Sequence, residues 1–252
     1  MIRSVVITGA SSGIGAALAA EAARPGVTLL LVGRNAERLE TVAEAARAKG
    51  AAAETAAIDL RDADALRARL LDFDDRAPVD LLIANAGVAR GGLPEAEGQA
   101  RFVIETNLLG MIATVEPLMP RMIARGAGRI ALVSSIAAIR PSADLPSYSA
   151  AKAGVRAYGQ AIRSGLRAKG VSVTVICPGF VTTPMSARHH GPKPFEVSAG
   201  RAARLILRAA EKRRGALTFP FLFSAMIFLG NRLPPVLSDW FERRYAARIG
   251  ED

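Results

Sequence analysis

The sequence predicts one doubly wound α/β domain, in which a parallel sheet is covered by helices on both faces. Three observations support this prediction. The chain has 252 residues, enough for a single large domain with a sizeable core, and 50% of them are hydrophobic. Short β-branched apolar runs alternate with longer helix-forming runs. A glycine-rich turn joins the first strand to the first helix.

The first strand is predicted over residues 2–8, which are mostly apolar and end at Gly9. Gly9, Gly13 and Gly15 then lead into an alanine-rich helix. Glycines let a backbone approach a phosphate closely, and the N-terminus of a helix offers free N–H groups and a partial positive charge. The spacing is G-x-x-x-G-x-G and not G-x-G-x-x-G. Even so, three glycines after an apolar strand favour a pyrophosphate-binding turn over a plain βα connection.

The second strand, residues 27–32, is followed by Gly33-Arg34-Asn35. A unit that binds NAD carries an acidic residue near this point, where it contacts the ribose hydroxyls. No acidic residue stands here, and the Arg34 guanidinium suits a 2′-phosphate instead. The sequence therefore predicts that NADP(H) is preferred over NAD(H).

The remaining elements continue the alternation. Helices are predicted over 36–49, 62–71, most of 95–125 and 148–169, with a weak strand leading to 57–60 and further strands at 79–84, 129–134 and 171–177. Asp62 is expected to cap its helix. Asn107 lies in an apolar helix, where an asparagine usually makes a local hydrogen bond, sometimes with a distortion of the helix. Ligands are expected at the C-terminal ends of the parallel strands.

Tyr148 and Lys152 are four residues apart, which places both side chains on one face of a helix. A lysine ammonium one turn from a phenol favours the phenolate, and so lowers the tyrosine pKa toward the range of general acid–base catalysis. Ser135 follows another strand and can hold a substrate oxygen beside that phenol. The Tyr–Lys pair alone also fits an ordinary amphipathic helix, and the predicted cofactor turn favours the catalytic reading.

Together these motifs resemble the short-chain dehydrogenase/reductase (SDR) family, in its single-domain form. The similarity covers about residues 1–214, and residues 215–252 form an apolar C-terminal extension expected to pack on the same domain. The resemblance implies a Rossmann-like fold, and a homodimer or homotetramer. It also implies that the cofactor is bound by Gly9, Ser11, Ser12, Gly13, Ile14, Gly15, Arg34, Asp59, Asn85, Ala86, Gly87, Tyr148, Lys152, Pro178, Gly179, Val181 and Thr183.

The resemblance further implies four catalytic residues. Tyr148 would transfer a proton to or from the substrate oxygen, which Ser135 would also bind. Lys152 would lower the tyrosine pKa and bind the nicotinamide ribose, and Asn107 would support a water in a proton relay. The implied function is an NADP(H)-dependent oxidoreductase that interconverts a ketone or aldehyde and an alcohol. Two alternatives stay open: a reductase of lipid-like ketones at a membrane surface, and a non-catalytic NADP-binding regulatory protein.

Composition limits the partners and the location. The net charge is +10, but Lys and Arg are mostly accompanied by Asp or Glu, as in Arg61-Asp62-Ala63-Asp64, and no nucleic-acid-reading motif is present. We therefore expect no nucleic-acid partner. The single cysteine, Cys177, and an N-terminus without a signal-peptide pattern favour a cytoplasmic location, with membrane association as an alternative. His189-His190 lack neighbouring carboxylates or thiols, which favours a loop over a metal site.

Residues 216–230 form an uncharged run flanked by basic residues. The run is too short to span a bilayer and is interrupted by Pro220. Three interpretations stay open: a last strand plus a helix over the substrate cleft, an oligomer contact, or an interfacial membrane anchor. The aromatic residues of this extension are expected to be buried, and a lid formed by it would favour an apolar substrate. They are Phe219, Phe221, Phe223, Phe228, Phe241 and Trp240.

Overall fold

The computed structural model describes residues 2–221 and 225–227, and the backbone of Arg248–Ile249. Its main sheet has seven parallel strands in the order β10-β6-β5-β4-β1-β2-β3. These strands are β1 (Ser4–Thr8), β2 (Thr28–Gly33), β3 (Ala52–Ala57), β4 (Leu81–Ala84), β5 (Gly128–Val133), β6 (Val171–Pro178) and β10 (Ala216–Phe219). Two short pairs lie outside this sheet: β7 (Val181–Thr182) with β9 (Val197–Ser198), and β8 (His189–His190) with β11 (Arg248–Ile249).

Helices connect the strands and cover both faces of the sheet, which confirms the predicted doubly wound fold. They are α1 (Gly13–Ala22), α2 (Ala36–Arg47), α3 (Ala63–Arg76), α4 (Gln99–Ile104), α5 (Gly110–Val115), α6 (Met119–Ala124), α7 (Pro146–Leu166), α8 (Pro184–Ala187) and α9 (Ala199–Glu211). Consecutive strand residues point to opposite faces, so Val5 and Ile7 pack in one core and Val6 in the other. Burial on both faces explains why the strands are continuously apolar.

The N-termini of α3 and α2 are capped by polar side chains of the residue types that favour this position. Asp62 accepts a hydrogen bond from the Ala65 backbone N–H at 3.1 Å, which confirms the predicted cap. Asn35 caps α2 in the same way, from the Arg38 N–H at 2.8 Å. Helix α7 begins at Pro146, two residues before the predicted start, because proline fits the first turn of a helix.

The predicted helix over 95–125 is divided. It begins at Gln99, and a π-helix over Glu105–Leu109 separates α4 from α5. Asn107 lies within this π-helix and is 0% exposed. Its amide oxygen accepts from the Val88 N–H at 2.7 Å, and its amide nitrogen donates to the Val88 carbonyl at 2.8 Å. The helix is distorted here, but the expectation of a local hydrogen bond is wrong, because the partner of Asn107 is 19 residues away and comes from the loop after β4. The run Gln99–Ala124 is apolar and long enough to cross a membrane, but half of its most apolar window is buried inside the protein, as in a core helix.

Helix α7 carries small residues that also bear on assembly. A Cβ on Gly154 would lie 2.9 Å from Leu108 of the same chain, so this glycine is required for packing against the π-helix. The surface of α7 also has a strip of exposed small side chains: Ala150, Ala153 and Ala157. The homodimer or homotetramer that the family resemblance implies stays a prediction, and this strip is where we expect two copies to meet.

The C-terminal run begins with a strand of the main sheet. Residues Ala216 to Phe219 pair in parallel with Val175 to Pro178, which confirms a last strand and places it beyond residue 214. Phe219 is buried as expected, but Phe221 is 83% exposed, so the expectation that all these aromatics are buried is wrong for Phe221. The other four, Phe223, Phe228, Trp240 and Phe241, lie outside the described residues.

Candidate active site

A cavity of about 1340 Å³ opens at the C-terminal ends of the central strands. Nearly all of the predicted cofactor and catalytic residues line it, and Gly15 and Asn107 are the two that do not. The parallel arrangement explains this gathering, because each loop after a strand emerges at the same edge of the sheet.

The glycine turn forms one wall of the cavity. Gly9 and Gly13 have φ of 67° and 55°, a conformation that favours glycine. A Cβ on Gly15 would lie only 2.0 Å from the carbonyl oxygen of Gly9, so the turn and α1 can pack this closely only with glycine. Ser12 at the helix start makes no capping side-chain bond, and the first turn of α1 contains no acidic residue. The first N–H groups of α1 are therefore suited to an anion.

Two arginines lie beyond this turn. Arg34 and Arg38 are exposed and both line the cavity. The pKa of Asp59 is held below its usual range chiefly by hydrogen bonds from Arg61, with a smaller contribution from Arg34. Arg38 is missing from the sequence-based prediction. Its spacing of four from Arg34, in the first turn of α2, is the signal that could have identified it.

Lys152 is 3% exposed. Both its side-chain ammonium and its backbone carbonyl are hydrogen-bonded to residues at the end of β5. Its ammonium donates to the Val133 carbonyl at 2.9 Å, and its own main-chain carbonyl accepts from the Ser134 hydroxyl at 2.7 Å. Burial lowers the Lys152 pKa to about 8. Ser134 is a second residue that sequence reasoning missed, because its contact is with the backbone of a distant helix.

The Tyr148 phenol and the Ser135 hydroxyl lie next to each other in the same cavity. Burial raises the Tyr148 pKa, and a hydrogen bond with the Ser135 hydroxyl opposes this shift. The Lys152 nitrogen lies 5.8 Å from the centre of the Tyr148 ring. The spacing argument predicts a lowered tyrosine pKa, and the structure shows the reverse, because burial of the phenol outweighs an ammonium at this distance. The phenol is therefore protonated at neutral pH.

Asn107 lies behind the cavity wall and not in it. A Cβ on Gly87 would lie 3.1 Å from the Asn107 side-chain oxygen and 3.2 Å from the Lys152 nitrogen. Because Gly87 has no side chain, the Asn107 amide and the Lys152 ammonium can both lie close to its backbone. Thr106 does line the cavity, and its buried hydroxyl has no hydrogen-bond partner among the described residues.

The far end of the cavity is mostly apolar. Met226 and Ile227 from the C-terminal extension line it, together with Leu145, Phe180, Met185 and Phe195. The polar groups at this end include Arg140, Asp144 and His189. The His189 ring lies 5.0 Å from that of Phe180. The two adjacent histidines form β8 rather than the predicted loop, and the described part of the chain contains no group of three His, Cys, Asp or Glu arranged for a metal ion.

Comparisons with known proteins identify the family of this chain. The family model described as short chain dehydrogenase matches residues 3–192. An uncharacterized oxidoreductase of Myxococcus xanthus is 35% identical over 247 residues, covering 96% of this chain and 97% of the relative. The ketoacyl reductase HetN of Nostoc sp. is 31% identical, over 84% of this chain and 76% of the relative. A short-chain dehydrogenase from Sphingobium yanoikuyae, solved in complex with NADPH, is 27% identical with a TM-score of 0.79, covering 92% of this chain and 97% of that chain. The chain therefore belongs to the short-chain dehydrogenase/reductase family of NAD(P)-dependent oxidoreductases that act on CH–OH/C=O groups.

Proposed function

We propose that this protein uses NADP(H) to interconvert an apolar ketone or aldehyde and the corresponding alcohol, with Tyr148 as the acid/base. One observation carries the proposal: Ser135, Tyr148 and Lys152 line the same cavity as the glycine turn and Arg34. The proposed catalytic and nucleotide-binding groups thus share one space of about 1340 Å³, which exceeds the roughly 300–1,000 Å³ of ordinary ligand pockets.

The residues present fit the cofactor. The uncapped N–H groups of α1 suit a pyrophosphate, and the glycines allow the turn to pack closely against its neighbours while these groups stay accessible. Arg34 and Arg38 provide two guanidinium groups for a 2′-phosphate at the same end of the cavity. When bound, the nicotinamide supplies or accepts the hydride.

Side chains of the protein donate and accept the proton in this reaction. In the reducing direction, the neutral Tyr148 phenol donates its proton to the carbonyl oxygen, and Ser135 donates a hydrogen bond to that oxygen. The Lys152 ammonium lies close enough to stabilise the phenolate that remains. In the oxidising direction the phenolate must form first, and the raised tyrosine pKa places that step at alkaline pH.

The apolar far end of the cavity supports an apolar substrate. Met226 and Ile227 show that the C-terminal extension contributes to this lining, as its lid interpretation requires. The similarity to a ketoacyl reductase also favours a carbonyl on an extended chain. A panel of ketones and alcohols of increasing chain length, followed by NADPH absorbance, tests the function. Turnover of none of them would favour the non-catalytic regulator.

The nucleotide preference gives a quantitative test. We expect NADPH to bind more tightly than NADH, and Arg34→Ala to remove most of the difference, because a charge-assisted contact to phosphate is worth roughly 1.5–3 kcal/mol. That corresponds to a loss of roughly ten- to a hundredfold in NADPH affinity, with NADH affinity unchanged. Fluorescence titration measures both. Arg67→Ala, at another exposed arginine outside the cavity, is the matched control. Equal affinities of the unmodified protein for both nucleotides would refute the preference.

The pH dependence of reduction follows from Lys152. Its ammonium is charged below its pKa of about 8 and neutral above it. Reduction needs both this charge and the protonated phenol, so kcat/KM should be level near neutral pH and fall about tenfold per pH unit above pH 8. His189 cannot cause this decline, because burial lowers its pKa from an ordinary value that is already below 8. In Lys152→Arg, residual activity should lack the decline, since a guanidinium stays charged. An unchanged decline in that variant would assign it to another group.

A further inference from the structure

The net charge of +10 is concentrated in one part of the chain. Residues 1–144 contain 16 basic and 17 acidic residues, and residues 216–252 contain four of each. Residues 145–215 contain 13 basic and only two acidic residues. The expectation that Lys and Arg are mostly accompanied by Asp or Glu therefore holds for the first 144 residues and is wrong for this segment.

The fold gathers many of these charges at one corner. Helices α7 and α9 lie on opposite faces of the sheet, and each is followed by a neighbouring parallel strand, β6 or β10. Both helices therefore end at the edge of the sheet opposite the cavity. Their ends and the turns that follow carry seven exposed cations, which we call the basic corner: Arg163, Arg167, Lys169, Arg208, Lys212, Arg213 and Arg214.

The ends of the two helices approach each other at the basic corner, where Glu211 is the one acidic residue among the seven cations. The Arg163 guanidinium lies 2.8 Å from the Cβ position of Gly215, so it crosses the chain directly beside Arg214. None of the seven cations forms an ion pair with an acidic side chain among the described residues. By contrast, Arg69 and Arg76, on α3, are paired with carboxylates. Within the described part of the chain, the repulsion among these cations is therefore not offset by ion pairs, which favours the binding of an anion.

Helix stabilisation does not account for the whole cluster. Cations near a helix C-terminus interact favourably with the helix dipole, but only within the last turn. Three of the cations, Lys212, Arg213 and Arg214, follow the end of α9. Arg213 has φ of 52°, a conformation that favours glycine at the end of a helix. An arginine at this position is consistent with a role for its charge.

We propose that the basic corner binds an anionic phospholipid bilayer. A second copy of the same corner is excluded as the partner, because like charges would oppose each other in a symmetric contact. Polybasic surfaces attract anionic headgroups without needing specific geometry. Residues 163–170 and 208–215 contain no aromatic side chain on which a base could stack, which favours lipid headgroups over single-stranded nucleic acid as the anion. This inference is independent of the proposed cofactor and substrate, because none of the seven cations lines the cavity.

The test compares two variants of the full chain with equal charge. The triple variant Arg167→Gln/Lys169→Gln/Arg214→Gln removes three cations of the basic corner. The control Arg3→Gln/Arg67→Gln/Arg101→Gln removes three exposed cations elsewhere. Co-sedimentation is measured with vesicles of phosphatidylcholine alone and of an equimolar mixture with phosphatidylglycerol. NADPH titration reports on folding in each variant.

We expect the unmodified protein and the control to bind the mixed vesicles, not pure phosphatidylcholine, and binding to weaken in high salt. The corner variant should lose about a hundredfold in partitioning, or about fivefold per cation. Equal losses in both variants would mean that vesicle binding depends only on net charge, and would overturn the proposal. So would absence of binding to the mixed vesicles, including the outcome in which the protein shifts duplex DNA instead.

Discussion

Replacing Tyr148 with phenylalanine should abolish turnover while nucleotide binding survives. The change removes only the phenolic oxygen, and with it the transferable proton and the hydrogen bond with Ser135. General acid–base groups contribute roughly 10²–10⁴-fold to rate, so kcat should fall by at least about 10²-fold. The measurement is kcat on a ketone that the unmodified protein reduces, beside NADPH affinity from fluorescence titration.

A matched control lies on the same helix. Tyr158 is also partly buried on α7, but it does not line the cavity, so Tyr158→Phe should leave kcat within about twofold. If Tyr148→Phe retained most of its rate, another group would have to be the acid. If both variants lost activity together, the loss would reflect damage to α7 and not the missing proton.

The second large effect is expected at Gly15. A Cβ there would lie 2.0 Å from the Gly9 carbonyl oxygen and 2.9 Å from the Ala10 Cα, and both contacts are with backbone that cannot rotate away. Gly15→Ala should therefore force the turn open, destabilise the protein by at least about 3 kcal/mol and remove measurable nucleotide binding. Chemical denaturation and NADPH titration test the two parts separately.

Gly165 provides the opposite case in the same protein. It lies within α7, and a Cβ there would meet nothing within 4 Å. Gly165→Ala should stabilise the protein by up to about 1 kcal/mol, since alanine is favoured over glycine in a helix. If Gly15→Ala were tolerated as well as Gly165→Ala, the close packing of the turn on α1 would not be required for the fold.

Local patterns were sufficient to predict most of the fold. The apolar runs of β1, β2 and β4 are buried on both faces, and such runs are visible without knowledge of their neighbours. The gathering of Ser135, Tyr148 and Lys152 in one cavity could be expected, because a resemblance to a known family grouped them and the helical spacing of Tyr148 and Lys152 agreed. The cap at Asp62 likewise depends on sequence-local chemistry.

The features that the sequence did not predict depend on contacts between distant segments. The direction of the Tyr148 pKa shift depends on how deeply the phenol is buried, which no local pattern reports. The exposure of Phe221 depends on what packs beside the end of β10. The role of Ser134 depends on a hydrogen bond across 18 residues of chain. The basic corner emerges only when the ends of α7 and α9 are brought together by the sheet.

The end of β5 makes the site sensitive to changes of length as well as of residue type. Three consecutive residues have three different partners: the Val133 carbonyl accepts from the Lys152 ammonium, the Ser134 hydroxyl binds the Lys152 backbone, and Ser135 meets Tyr148. Since successive residues of a strand point to opposite sides, adding or deleting one residue in β5 would shift Val133, Ser134 and Ser135 by one position and turn each toward the opposite side. Such a change would disconnect Lys152 and Tyr148 together, even if every side chain were kept. Engineered insertions should therefore be placed in loops far from β5, where a change of chain length does not move these three residues relative to Tyr148 and Lys152.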